Sequence, residues 1–75
     1  MILRLKYFGM VAEALKQESE ELDLDVLRVS DIENIYNSKL NDINFKVAVN
    51  QKLVESTHQL KGNDEVALLP PFAGG

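Results

Sequence analysis

Glu21-Leu22-Asp23-Leu24-Asp25-Val26, followed by Ser30-Asp31-Ile32-Glu33 and a polar-apolar run to Leu40, changes its periodicity in the middle. Leu22, Leu24 and Val26 alternate with acids, the period of two expected of a half-buried strand. After Val26 the apolar residues fall at Ile32, Ile35, Tyr36 and Leu40, the spacing of one helix face. Ser30 and Glu33 stand three apart and fit a capping box, so the helix is expected to begin at Ser30. Asn41-Asp42 is expected to end it.

Working outward, Leu3, Leu5 and Tyr7 alternate with Arg4 and Lys6, which predicts a first strand that Gly9 breaks. Met10 to Lys16 reads as a short helix of two turns, followed by the polar stretch Gln17-Glu18-Ser19-Glu20. Downstream of the main helix, Phe45, Val47 and Val49 mark a third strand. Asn50-Gln51-Lys52 reads as a turn into a short strand at Leu53-Val54. Leu60 to Asp64 is another turn, with Gly62 or Asn63 able to take positive φ. Glu65 to Leu69 is the last strand. The order is strand, short helix, strand, helix, and then three strands. It predicts an α+β domain of the β-grasp (ubiquitin-like) type: a mixed sheet of four to five strands on one main helix, with a second short helix. Residues 1–69 are expected to form that single domain, and 70–75 a flexible C-terminal tail.

The chain has 75 residues, near the lower limit for a self-sufficient core. It has no cysteine, which excludes disulfides and thiolate-metal sites, and its single histidine, His58, makes a poor case for a metal. A net charge of −4 argues against nucleic-acid binding. No apolar run is long enough to cross a membrane, and the start of the chain alternates too soon for a signal peptide, so a cytoplasmic protein is expected. Seven acids against one base between Glu18 and Glu33 read as a solvated face or as a surface that steers a basic partner.

Strand parity singles out a second set of residues. With Leu3, Leu5, Tyr7, Val47, Val49, Val66 and Leu68 facing the helix, Ala48, Ala67 and Leu69 fall on the other face, and Phe8 points that way or sits at the strand end. Leu53 is placed to join them. Contiguous apolar patches of this kind mark interfaces more often than scattered exposed residues do. The patch borders the uncharged tail Pro70-Pro71-Phe72-Ala73-Gly74-Gly75. Proline cannot donate to a ladder and ends the strand. Locally the tail reads either as a frayed end or as a thin arm. Extended, it spans about 20 Å. The residues contain no nucleophile–base pair, metal cluster or phosphate loop, so no enzyme activity is expected of the chain alone. The reactive group of interest is the carboxylate of Gly75, which adenylation would turn into an electrophile.

Ala48 to Val54, and then Leu60-Lys61-Gly62-Asn63-Asp64-Glu65-Val66-Ala67-Leu68-Leu69 with the double proline and terminal Gly-Gly, closely resemble the small subunits of molybdopterin synthase, the MoaD-like sulfur carriers. In pattern the likeness extends to Lys6-Tyr7-Phe8-Gly9. It implies that an adenylating enzyme similar to ubiquitin-activating enzymes uses ATP and magnesium to place AMP on Gly75. A sulfur donor then makes the thiocarboxylate. The arm, Pro70 to Gly74, would insert into the large subunit and give sulfur to cyclic pyranopterin monophosphate for molybdenum cofactor biosynthesis. The resemblance further implies that Phe8, Leu53 and Leu69, with Ala48 and Ala67, contact that large subunit, in a heterotetramer, and that no cofactor is held permanently. Phe72 and Ala73 depart from the smaller aliphatic and hydroxyl residues of many relatives, and Ala12 stands where some carry a base. Sulfur carriers for thiamine or another pathway, and ubiquitin-like modifiers that join to lysines, share the fold and the Gly-Gly end. The former show the Pro-Pro step less often.

Overall fold

A computed structural model of the chain describes residues 1–72. The tail positions Ala73, Gly74 and Gly75 lie outside the described residues. The elements run β1 (Ile2–Tyr7), α1 (Gly9–Leu15), β2 (Ser19–Asp23), α2 (Val29–Leu40), β3 (Lys46–Val49), β4 (Lys52–Leu53) and β5 (Glu65–Leu69). They form one five-stranded mixed sheet in the order β2-β1-β5-β3-β4. β1 pairs antiparallel with β2 and parallel with β5; β5 and β4 both pair antiparallel with β3. This is the β-grasp arrangement expected from the element order.

The core lies between one sheet face and α2. Leu3, Leu5, Tyr7, Val47, Val49, Val66 and Leu68 supply the sheet side, and Val29, Ile32, Tyr36 and Leu40 the helix side. The helical stripe is the expected one with Val29 added and Ile35 at its margin, only partly buried against the core. Both partners carry apolar residues at their own period, 2 for the strands and 3.6 for the helix, so the faces meet without a register conflict.

α1 and the start of β3 are shifted by one residue from the sequence reading, β2 begins at Ser19 inside the expected polar stretch, and three further boundaries differ. β2 ends at Asp23, three residues short of Val26, because its partner β1 begins at Ile2, opposite Asp23. β4 is Lys52–Leu53 rather than Leu53-Val54. Asn50 and Gln51 both take positive φ, 51° and 72°, which makes a two-residue hairpin turn whose twist matches its strands. The third difference concerns the start of α2. The helix begins at Val29, and the capping carboxylate is that of Asp31, not the expected Ser30–Glu33 box. Asp31 Oδ2 accepts from the Leu27 and Arg28 backbone N–H groups at 2.9 and 3.0 Å. These bonds favour the ionised form and hold the Asp31 carboxyl below the usual carboxylate range. Glu33 instead accepts from Ser56 Oγ at 2.6 Å, tying the helix to the loop before β5.

Candidate functional site: an outer-face groove at the root of the tail

Registers place one row of side chains across the sheet on the face away from α2. Lys6 pairs with Ala67, Ala67 with Ala48, and Ala48 with Leu53. Four strands therefore present consecutive outward positions at one level. Leu69 lies one step along, opposite Lys46, and Phe8 follows the end of β1. The result is an open groove of about 320 Å³ lined by Lys6, Phe8, Ala48, Gln51, Leu53, Glu65, Ala67 and Leu69. The outward residues of the sequence reading, Phe8, Ala48, Ala67 and Leu69 with Leu53 beside them, all line this groove.

Their exposure divides them into floor and walls. Ala48 and Ala67 are only 4 % and 9 % exposed, whereas Phe8 and Leu53 stand 45 % and 47 % exposed. The alanines are outside the core yet nearly covered, because a methyl group on a sheet is overshadowed by longer neighbours. A larger residue at either position would fill the groove. At one end Lys6 Nζ meets Glu65 Oε1 at 2.9 Å. That pair puts opposite charges beside an apolar floor, so a partner covering the groove meets both apolar and polar chemistry.

The hairpin turn is anchored so that the groove keeps its shape. Asn50 Oδ1 accepts from the Glu65 N–H and Asn50 Nδ2 donates to Asp64 Oδ1, each at 3.0 Å. These bonds fasten the β3–β4 turn to the start of β5, the strand that carries Ala67 and Leu69 outward. Asn63, rather than Gly62, supplies the left-handed residue of the preceding turn, at φ 69°. Of the tail, Pro70 is half-buried, while Pro71 is exposed and Phe72 is 80 % exposed.

One other feature competes for the role and yields to this one. A polar hollow of about 330 Å³ opens among Ser30, Glu33, Asn34, Asn37, Asn44, Phe45 and Ser56. The α2 amides nearest it are already used: Val29 N–H donates to His58 O and Ser30 N–H to Ser56 O. Helix N-termini bind anions through free N–H groups, and these two are taken. Among the described residues no group of three or more His, Asp or Glu is placed to hold a metal. Nor is any described helix long and apolar enough to cross a membrane.

The sequence reading missed Glu20. It lies in the acidic run read as a solvated face, yet its Oε2 accepts from Tyr7 Oη at 2.6 Å and from Gln17 Nε2 at 2.8 Å. Tyr7 and Tyr36 oxygens are 2.6 Å apart, with their rings tilted at 55°. A carboxylate only accepts, so Tyr7 donates to Glu20 and Tyr36 donates to Tyr7. Burial, and then the bond to Glu20, push the Tyr7 hydroxyl far above its ordinary pKa; burial also raises Tyr36. This chain joins the edge strand to α2 on the core side. Parity did carry a signal, since Glu20 has the same phase as Leu22 and Leu24.

Solved structures of similar shape have low sequence identity. Molybdopterin converting factor subunit 1 of Pyrococcus furiosus, so assigned, superposes with a TM-score of 0.82 at 22 % identity, covering 95 % of this chain and 98 % of that one. SAMP1 of Haloferax volcanii, a small archaeal modifier protein, gives 0.78 at 21 % identity over the full length of both chains. A subunit in the complex of subunits 1 and 2 of the molybdopterin-converting factor of Helicobacter pylori gives 0.71 at 24 %, again over both full lengths. At these identities the likeness speaks for the fold. The family is settled by a sequence model, described as the ThiS family, that matches residues 5–75, from the middle of β1 through the Gly-Gly end. On that match the chain belongs to the ThiS family.

Proposed function

We propose that the chain is a sulfur carrier that works through the carboxylate of Gly75, with the outer-face groove as its docking surface. The observation that carries this reading is the position of Leu69. It is a wall of the groove and also the last residue of β5 before the tail. A partner seated on the groove therefore holds the root of an arm long enough, at about 20 Å, to reach into its interior.

The chemistry follows from the poverty of a carboxylate as an electrophile. Attack of the Gly75 carboxylate on the α-phosphorus of ATP, with magnesium on the phosphates, releases pyrophosphate and gives a mixed anhydride with AMP. Hydrosulfide then adds to the acyl carbon and AMP leaves, so one carboxylate oxygen departs with AMP and sulfur takes its place. Gly74 and Gly75 put no side chain beside the reacting carbonyl. Both steps need an adenylating partner, which supplies the charge stabilisation that this chain lacks. The thiocarboxylate would be delivered to the large subunit of molybdopterin synthase, where cyclic pyranopterin monophosphate accepts the sulfur.

Reconstitution tests the reading. The thiocarboxylated chain, mixed with a large subunit and cyclic pyranopterin monophosphate, is expected to yield molybdopterin. A charged carrier that gives no product there but sulfurates a thiazole precursor would move the chain to the thiamine pathway. A second reading, transfer of the activated carboxyl to lysine amines, is favoured by the full-length match to SAMP1. It predicts isopeptide-linked products instead of a free thiocarboxylate.

A further inference from the structure

The parallel pairing of β1 with β5 sets Tyr7 opposite Leu68, and the Phe8 N–H donates to Leu68 O at 3.2 Å. Beyond that bond the ladder loses its next donor, because Pro70 has no N–H. The two segments nevertheless stay together for one more step. Gly9, at the start of α1, has φ +56°, and a Cβ built on it would lie 2.8 Å from Pro70 Cγ. The Pro70 ring thus rests where a side chain at position 9 would stand. Pro70 is half-buried, while Pro71 and Phe72 beyond it are exposed.

We propose that the Phe8-Gly9 turn is a seat for Pro70 and that the seated ring fixes the direction in which the tail leaves the sheet. Pro70 is then a positioning residue: it touches no reacting atom, but it sets where the arm's search for a partner's active site begins. Its functional consequence rests on the sulfur-carrier reading. A fixed root removes part of the orientational freedom that docking would otherwise have to remove. The seat also adjoins the groove, since Phe8 is a wall of the groove and one side of the turn. Docking and aim therefore share a residue, so covering the groove holds the seat closed.

Two variants separate seating from simple stiffness. Pro70→Gly and Pro71→Gly each remove one ring from the same dipeptide and loosen the chain by a similar amount. Only the first removes the ring that meets Gly9. In amide NMR spectra Pro70→Gly is expected to shift the Gly9 and Met10 resonances, and Pro71→Gly to leave them near wild type. In ATP-dependent thiolation by the adenylating enzyme with sulfide, Pro70→Gly is expected to lower turnover at saturating carrier on the order of tenfold. The half-saturating concentration should not change, because the groove is intact, and Pro71→Gly should lose several-fold less turnover than Pro70→Gly. Equal turnover losses in the two variants, unmoved Gly9 and Met10 resonances in Pro70→Gly, or a change confined to half-saturation would overturn the seat. Failure of the wild-type chain to thiolate would instead count against the carrier reading, and the amide shifts would still decide the seat.

Discussion

The two faces of the sheet are made by the same strands and differ in what covers them. On β5, Val66 and Leu68 face α2 and are fully buried, while Ala67 and Leu69 between and after them face the groove. On β3, Val47 and Val49 point inward and Ala48 outward. The inner face is filled by branched and aromatic side chains against a helix. The outer face has a low alanine floor between Phe8 and Leu53, and among the described residues no element packs over it. Alternation thus assigns stability to one set of residues and contact with another molecule to the set beside it.

The sharpest way to break this comparison is to change neighbours on β5. Leu68→Ala should destabilise the fold by about 2–5 kcal/mol, the range for emptying a packed leucine site, and urea or thermal unfolding reads it directly. Leu69→Asp, one residue on, should change stability by only about 0.5 kcal/mol. It should weaken binding to the large subunit by a factor on the order of 30, the equivalent of about 2 kcal/mol. A collapse of stability in Leu69→Asp would place Leu69 in the core and remove a wall from the groove.

A smaller effect is expected from the hydroxyl chain on the inner face. Tyr36→Phe removes the donor to Tyr7 and should cost about 1 kcal/mol of stability while leaving groove binding unchanged. The same chain predicts alkaline behaviour. Tyr7 keeps its proton in the fold at pH values where an unfolded tyrosine, with its ordinary value of 10.0, ionises. Its stabilising contribution is therefore complete below pH 10 and is lost as the pH rises above it. Unfolding measured from pH 9 upward should show this decline, and Tyr7→Phe should flatten it.

The smallest change belongs to the cap of α2. Asp31 sits below its ordinary 3.8 in the fold, so its contribution is present above that value and fades as pH falls through and below it. Asp31→Asn should remove that part of the acid dependence while leaving the groove and its partner affinity untouched. Chemical denaturation at pH 3 and pH 6 compares the two.

Much of this was legible because the chain changes period where its elements change. Leu22-Asp23-Leu24 followed by Ile32, Ile35 and Tyr36 declares a strand and then a helix, and parity pointed to the apolar residues of the groove but not to Lys6, Gln51 and Glu65. The misread parts are places where a side chain found a partner other than the one its spacing suggested. Ser30 and Glu33 satisfy the spacing of a capping box, but Arg28 takes the cap position and Asp31 the acceptor role. Arginine has no acceptor for the helix amides, so that start carries no sequence signal. Glu20 hid among acids because the partner that draws it to the core side, Tyr7, lies 13 residues away on β1. The tail's anchoring depends on a ring resting on Gly9, a contact set by the parallel β1–β5 pairing, which local sequence does not encode.

The central claim concerns Gly75, and intact-mass measurement reaches it most directly. The purified chain is incubated with an adenylating enzyme of the ubiquitin-activating type, ATP, magnesium and sulfide. The account predicts a species heavier by one oxygen-to-sulfur exchange, located at Gly75 by fragmentation and absent when Gly75 is deleted from an otherwise folded chain. An unchanged mass, under conditions that convert a control carrier, would contradict it.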